Sequence, residues 1–114
     1  MHLETVAIHA GHEPDPTSGA IAPGITLSST FARHPDSSPI GYMYGRVDNP
    51  NRHILETRLA QLEGGAVAVA FSSGVAASAG VLSTLRPGDH LLRPRDVYVG
   101  NRLLLDNELR AWGV

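Results

Sequence analysis

The sequence predicts an α/β fold, specifically the beginning of a parallel sheet with its crossover helix. Three observations carry that expectation. Ala66-Val67-Ala68-Val69-Ala70-Phe71 is an uncharged run long enough for a strand buried on both faces. A helix rich in small residues follows from about Gly74 to Leu85, and His90 to Arg93 is a second short strand ending at Pro94. Strand, helix, strand is the parallel crossover, which is almost always right-handed. Two parallel strands do not make a domain, because such sheets need more strands and cover on both faces. The expectation is therefore the start of a sheet, with Trp112-Gly113-Val114 standing where a next strand would begin.

The elements follow in order. Gly11 to Pro50 is crowded with Pro, Gly, Ser, Asp and Thr, as in Glu13-Pro14-Asp15-Pro16 and Asp36-Ser37-Ser38-Pro39, and cannot sustain long helices or central strands. Ile21, Ile25, Leu27, Phe31, Tyr42, Met43 and Tyr44 give it apolar surface that a disordered linker would lack. Residues 1–50 are thus expected to form an extended arm packed on a surface, that of another subunit. Residues 51–114 are expected to begin the α/β domain. Arg52 to Glu63 places Leu55, Leu59 and Leu62 on one helical stripe, with Asn49 or Asn51 beside Pro50 as its start and Gly64-Gly65 as its stop. Arg86-Pro87-Gly88-Asp89 closes the Gly74–Leu85 helix. Asn101 to Ala111 is a last helix, with Leu105, Leu109 and Trp112 on one side and Arg102, Asp106 and Arg110 as opposite-charge neighbours on the other.

Composition excludes several function classes. The chain has 114 residues and a net charge of -2 from nine basic and eleven acidic residues, and all the basic ones are Arg, scattered along the chain. That balance argues against nucleic acid or an acidic membrane as a partner. With 42% hydrophobic and 18% charged residues the chain is globular in composition. The absence of Cys excludes a disulfide framework, a thiolate nucleophile and a thiolate metal site, and suits a reducing compartment. The absence of Lys means that no lysine Schiff base forms within these residues. Met1-His2-Leu3-Glu4-Thr5 lacks the basic start and apolar core of a secretory signal, so the expectation is a soluble, cytoplasmic protein.

Three segments carry candidate chemistry. In Phe71-Ser72-Ser73-Gly74-Val75-Ala76-Ala77 a strand meets a small-residue turn that opens a helix, so free backbone N–H groups and the helix dipole suit an anion while Gly74 admits a phosphate. The plainer alternative is that Ser73 caps the helix and Gly74 allows the turn. The lysine-ending P-loop pattern and the three-glycine dinucleotide pattern are both absent. Tyr44 and Arg46 stand two apart, which on an extended segment sends both side chains to one face, where a phenol and a guanidinium can hold a phosphate or carboxylate. An exposed Arg beside an interface Tyr is the alternative. Tyr98 follows the second strand at the sheet edge where α/β ligands sit, placed to stack on a planar cofactor or move protons, or else simply to pack. His9 and His12 suggest a metal, but Gly11 and the prolines beyond interrupt any helix joining them and no carboxylate set completes a site.

Taken in order, these segments resemble the amino-terminal part of the cysteine and methionine metabolism family of pyridoxal-phosphate enzymes, whose members include cystathionine γ-synthase, the cystathionine lyases, methionine γ-lyase and the O-acyl-homoserine sulfhydrylases. The resemblance covers the whole chain. It runs through Ile8-His9-Ala10-Gly11, Ser29-Thr30-Phe31, Tyr44-Gly45-Arg46, Asn49-Pro50, Leu59-Ala60-Gln61-Leu62-Glu63-Gly64-Gly65, Ser73-Gly74-Val75-Ala76-Ala77, Pro87-Gly88-Asp89-His90 and Asp96-Val97-Tyr98.

The resemblance implies a fold-type I, aspartate-aminotransferase-like architecture, of which this chain holds the arm and the first strands and helices of the large domain. It implies that Tyr44 and Arg46 reach a neighbouring subunit's site and bind the phosphate of pyridoxal 5'-phosphate. It implies that Ser73, Gly74 and Val75 offer backbone N–H groups to that phosphate, with Val75 where the family usually has Met, and that Tyr98 stacks on the pyridine ring and assists proton transfer. The family's Tyr-Gly-Gly-Thr is here Tyr98-Val99-Gly100-Asn101. The family's Schiff-base Lys, its Asp for the pyridine nitrogen and the remaining phosphate hydroxyls lie beyond these residues. The implied activity is β- or γ-elimination or γ-replacement on cystathionine-, methionine- or O-acyl-homoserine-like amino acids by a homo-oligomer with shared sites, with this chain alone inactive. The alternative is a non-catalytic oligomerisation fragment with a vestigial phosphate site.

Overall fold

The structure, a computed structural model, describes residues 2–114, which form two compact units, one running to Ala70 and the other from Phe71 to Val114.

In the first unit a short helix, α1 (Leu3–His9), stands where the sequence reading has only extended arm. Glu4 in its first turn complements the helix dipole. Seven residues are too few for a periodic pattern to declare itself, and packing on α2 (Pro50–Leu62) supplies what propensity does not. The helix stops where Ala10 turns extended and Gly11 takes φ 83°, so His9 and His12 share no helical face. Gly11 passes close to α2: a Cβ there would stand 2.7 Å from the Ile54 carbonyl oxygen. Arg58 Nε donates to the Ala10 carbonyl at 3.0 Å, and its Nη2 lies 3.1 Å from His12 Nδ1. His12 Nε2 meets the Ile21 carbonyl at 2.9 Å, a pairing that assigns its proton to Nε2. Ala10 and Ala60 are the buried apolar residues of this unit.

The stretch between α1 and α2 contains no helix and only two isolated antiparallel bridges, Thr30 with Tyr44 and Arg33 with Pro39. Side chains hold it to α2. Asn49 caps that helix by accepting from the Asn51 N–H at 2.9 Å, and Pro50 fills the first position, where no N–H is needed. Asn51 accepts from the Thr26 N–H at 2.8 Å and donates from Nδ2 to the Gly24 carbonyl at 2.7 Å. Tyr42 lies between the rings of Phe31 and His53, at centroid distances of 5.5 and 6.4 Å.

The stripe of Leu55, Leu59 and Leu62 is not the covered face of α2, since Leu55 and Leu59 are 48% and 41% exposed. Packing instead uses the sides bearing Ile54, Thr57 and Arg58, and Glu56 and Ala60. The expected strands at 66–71 and 90–93 also differ from the structure, because neither has ladder hydrogen bonds among the described residues. A strand exists only through a neighbour that takes up its N–H and C=O groups, and an extended run without one remains single. The Ala70 N–H is met by the Glu56 carboxylate at 2.8 Å instead.

The second unit is built on α3 (Gly74–Leu82), shorter than the expected span to Leu85 because its end tightens into three-residue turns from Thr84 to Val81 and Leu85 to Leu82. Asp89 closes the following turn, accepting from the Arg86 N–H at 2.7 Å. The last helical stretch joins α4 (Val99–Leu103), a π-helical turn (Leu104–Leu109) and α5 (Arg110–Trp112), and Gly113 ends it at φ 89°. The wider π turn breaks the expected spacing of Arg102, Asp106 and Arg110, and Asp106 pairs with Arg93 at 2.8 Å. Leu109 is buried, whereas Trp112, expected on the same face, is exposed.

Candidate functional site

The head of α3 is the segment in which the sequence suggests an anion site. Ser73 is extended, with φ -160° and ψ 161°; its hydroxyl accepts from the Ala76 N–H at 3.1 Å and its carbonyl from the Ala77 N–H at 3.0 Å. So the cap that the sequence offered as the plainer alternative is present. It leaves the N–H groups of Gly74 and Val75 with no acceptor among the described residues. Gly74 is not in the left-handed region, and a Cβ placed on it would meet no atom within 4 Å. Neither backbone strain nor crowding by the protein therefore calls for glycine there. The bare Cα instead opens the helix start to a group approaching from outside, with the positive end of the dipole behind it.

Tyr98 belongs to the same unit. It precedes α4, its carbonyl accepts from the Arg102 N–H at 3.0 Å, and the residue is 68% exposed. Val99, in place of the family's first Gly, is an ordinary first residue of α4, so that departure does not disturb the backbone. Asn101, in place of the Thr, has its Oδ1 buried without a hydrogen-bond partner. Gly100 lies against both Tyr98 and Val75, a contact that a linear sequence does not display.

Tyr44 and Arg46 lie in the first unit. The segment is not extended as the spacing suggested: the Tyr44 carbonyl accepts from the N–H groups of Val47 and Asp48, both at 2.9 Å, and makes a turn. The two side chains nonetheless meet, with Arg46 Cζ 5.1 Å from the Tyr44 ring centroid, a cation–π arrangement. The chain before the turn is fixed by the Gly45 N–H, which donates to the Ser29 carbonyl at 2.7 Å. Nearby Arg52 is committed to the protein: it donates to the Val47 carbonyl and faces Asp48 at 3.5 Å and Glu56 at 3.8 Å. Arg46 has no carboxylate or carbonyl partner among the described residues, and both it and Tyr44 are exposed. No group of three or more potential ligands capable of holding a metal occurs among the described residues, and no helix there is long and apolar enough to cross a membrane.

Residues 4–114 match the family described as Cys/Met metabolism PLP-dependent enzyme. A cystathionine gamma-synthase of Mycobacterium leprae is 48% identical over 114 residues, covering 98% of this chain and 29% of the relative. A cystathionine beta-lyase of Coxiella burnetii is 43% identical over 106 residues, covering 93% of this chain and 27% of the relative. The crystal structure of metB from Corynebacterium glutamicum superposes with a TM-score of 0.92 at 42% identity, covering 100% of this chain and 30% of that one. The chain thus spans less than a third of the length of these relatives. The strands absent from its own hydrogen bonding are not a departure in fold, because the chain follows the path of the corresponding part of a fold-type I enzyme.

Proposed function

From the premise that this chain belongs to the Cys/Met metabolism family of PLP-dependent enzymes, we propose that it supplies the phosphate-binding and ring-stacking part of a transsulfuration active site. The observation that carries this reading is the open head of α3, with two N–H groups unclaimed and a glycine whose bare Cα no protein atom requires. The residues fit pyridoxal phosphate: Gly74 and Val75, next to the capping Ser73, offer a dianion two N–H donors and a helix dipole, and the exposed phenol of Tyr98 suits a flat ring. Tyr44 and Arg46 add a guanidinium and a hydroxyl from a neighbouring subunit in a homo-oligomer with shared sites.

The cofactor, when bound, supplies an electron sink for the substrate α-carbon. What these residues do is hold it. The α3 head and Arg46 would neutralise and orient the phosphate, while Tyr98 would hold the ring plane and offer a phenol for proton transfer. The whole protein then catalyses β- or γ-elimination or γ-replacement on cystathionine-, methionine- or O-acyl-homoserine-like amino acids in the cytoplasm, γ-chemistry being our preferred choice. The relatives' names include both a synthase and a lyase, and the reading spans both.

Since these 114 residues include no Lys, they have no side chain to anchor the cofactor covalently. The chain alone is expected to give no turnover of cystathionine or an O-acyl-homoserine; turnover would contradict the assignment of the anchor to residues outside it. The test of the phosphate role is Arg46→Ala in the full chain, measured as the dissociation constant for pyridoxal phosphate. Loss of one charge-assisted contact predicts a rise of roughly tenfold or more. An unchanged constant would remove Arg46 from the site.

A further inference from the structure

We propose that Gly100 is a positioning residue for Tyr98, its missing side chain being the space in which the Tyr98 ring and Val75 meet at the head of α3. A Cβ at position 100 would stand 2.8 Å from Val75 Cγ2, 2.9 Å from Tyr98 Cε1 and 3.4 Å from Tyr98 Cδ1. The first two separations are shorter than packed carbon atoms tolerate, so an added methyl must displace a neighbour. Backbone conformation gives no reason for glycine here, since Gly100 is not in the left-handed region and lies within α4, where alanine is the better helix former. Close approach is the remaining physical reason.

The neighbour that yields is the ring. Val75 is β-branched, sits in the first turn of α3 and is half-buried, so its side chain has few alternatives. Tyr98 is 68% exposed and can swing outward. Gly100 therefore sets where the phenol lies relative to the N–H groups of Gly74 and Val75, acting through Tyr98 and not on the cofactor itself. Val75, where the family usually has Met, forms the other wall of that space. The inference rests on the functional reading only for its consequence in cofactor binding; the position of the ring is a property of the protein without ligand.

The test is Gly100→Ala in the full chain, with two readouts. In the cofactor-free protein, carrying ring-labelled tyrosine, the Tyr98 resonance is expected to shift while those of Tyr42 and Tyr44 stay in place. In the second readout, Gly100→Ala weakens pyridoxal-phosphate binding by roughly two- to tenfold, the range of one aromatic contact, and has no further effect in a Tyr98→Ala background. A purely structural role would weaken binding equally in both backgrounds and would overturn the proposal, as would an unmoved Tyr98 resonance. If Gly100→Ala does not fold, Val75→Ala/Gly100→Ala, which removes the crowding Cγ2 atom, carries the same measurements. Failure of the unsubstituted protein to bind pyridoxal phosphate would overturn the functional reading, and the ring resonance would still decide the role of Gly100.

Discussion

At Asp15 one carboxylate oxygen gathers three donors, the Thr17 N–H at 3.0 Å, the Ser18 N–H at 2.7 Å and the Ser18 hydroxyl at 2.9 Å. The Ser18 N–H contributes most, followed by the Ser18 hydroxyl and the Thr17 N–H, and together they hold the carboxyl below the usual carboxylate range. Asp36 is lowered in the same way by the Ser38 hydroxyl and then the Ser38 N–H. A folded value below the unfolded one means that the turn is stabilised fully above the ordinary carboxylate range and loses that stabilisation as pH falls through the lowered value. Amide shifts of Ser18 and Ser38 followed through an acid titration are expected to change only below the ordinary carboxylate midpoint, and a transition at or above it would contradict the assigned bonds. Both residues are exposed, so the effect is confined to their turns. The same scale shows what spacing conveys about a site. Tyr44 and Arg46 share a face as their two-residue separation suggested, but through a turn, because the carbonyl geometry of residues 44–48 is invisible to side-chain alternation. Gly74 was legible from its place between a capping serine and a helix; Gly100 was not, since its reason is a contact between side chains of residues 75 and 98.

Among the elements, the two helices after residue 49 that the sequence announced with caps and stops appear with ends shifted by a few residues, because Asn49, Pro50 and Ser73 satisfy local backbone groups irrespective of what surrounds them. Elements that depend on partners are less legible, because their hydrogen bonds are made by residues far away in sequence. The runs at 66–71 and 90–93 have strand composition but no ladder, α1 needs α2 beside it, and the π turn reassigns Asp106 to Arg93. Two glycines measure how differently such contacts weigh. At Gly11, alanine meets both a left-handed backbone and the Ile54 carbonyl, neither of which can give way; Gly11→Ala is expected to cost about 2–4 kcal/mol. At Gly80 the obstacle is the tip of the Phe71 ring, 2.6 Å from a Cβ but on a side chain 48% exposed. The ring can turn aside, and the helical gain of about 1 kcal/mol offsets the shift, so Gly80→Ala should be close to neutral. Urea midpoints of the two variants decide the matter, and equal destabilisation would show that the α1–α2 approach at Gly11 is misassigned.

For the whole molecule, family membership was the most legible property, because it rests on short backbone-determined motifs in a fixed order, from Ile8-His9-Ala10-Gly11 to Asp96-Val97-Tyr98. The residues that complete a catalytic site are another matter: the chain covers less than a third of its relatives, and its 114 residues include no Lys for the covalent anchoring of a cofactor. Apolar side chains are exposed in both units, Val67 at 77% and Leu92 at 84% among them. The proposed role of the α3 head is to bind the phosphate of the cofactor through backbone N–H groups that Gly74 leaves accessible. The direct measurement is the ratio of dissociation constants for pyridoxal and pyridoxal phosphate in the full chain, with and without Gly74→Val. The phosphate is expected to improve binding by roughly tenfold or more in the unsubstituted protein, and the valine side chain, placed where a Cβ now meets nothing, is expected to remove most of that advantage. An equal preference for the phosphorylated form in both proteins would contradict it.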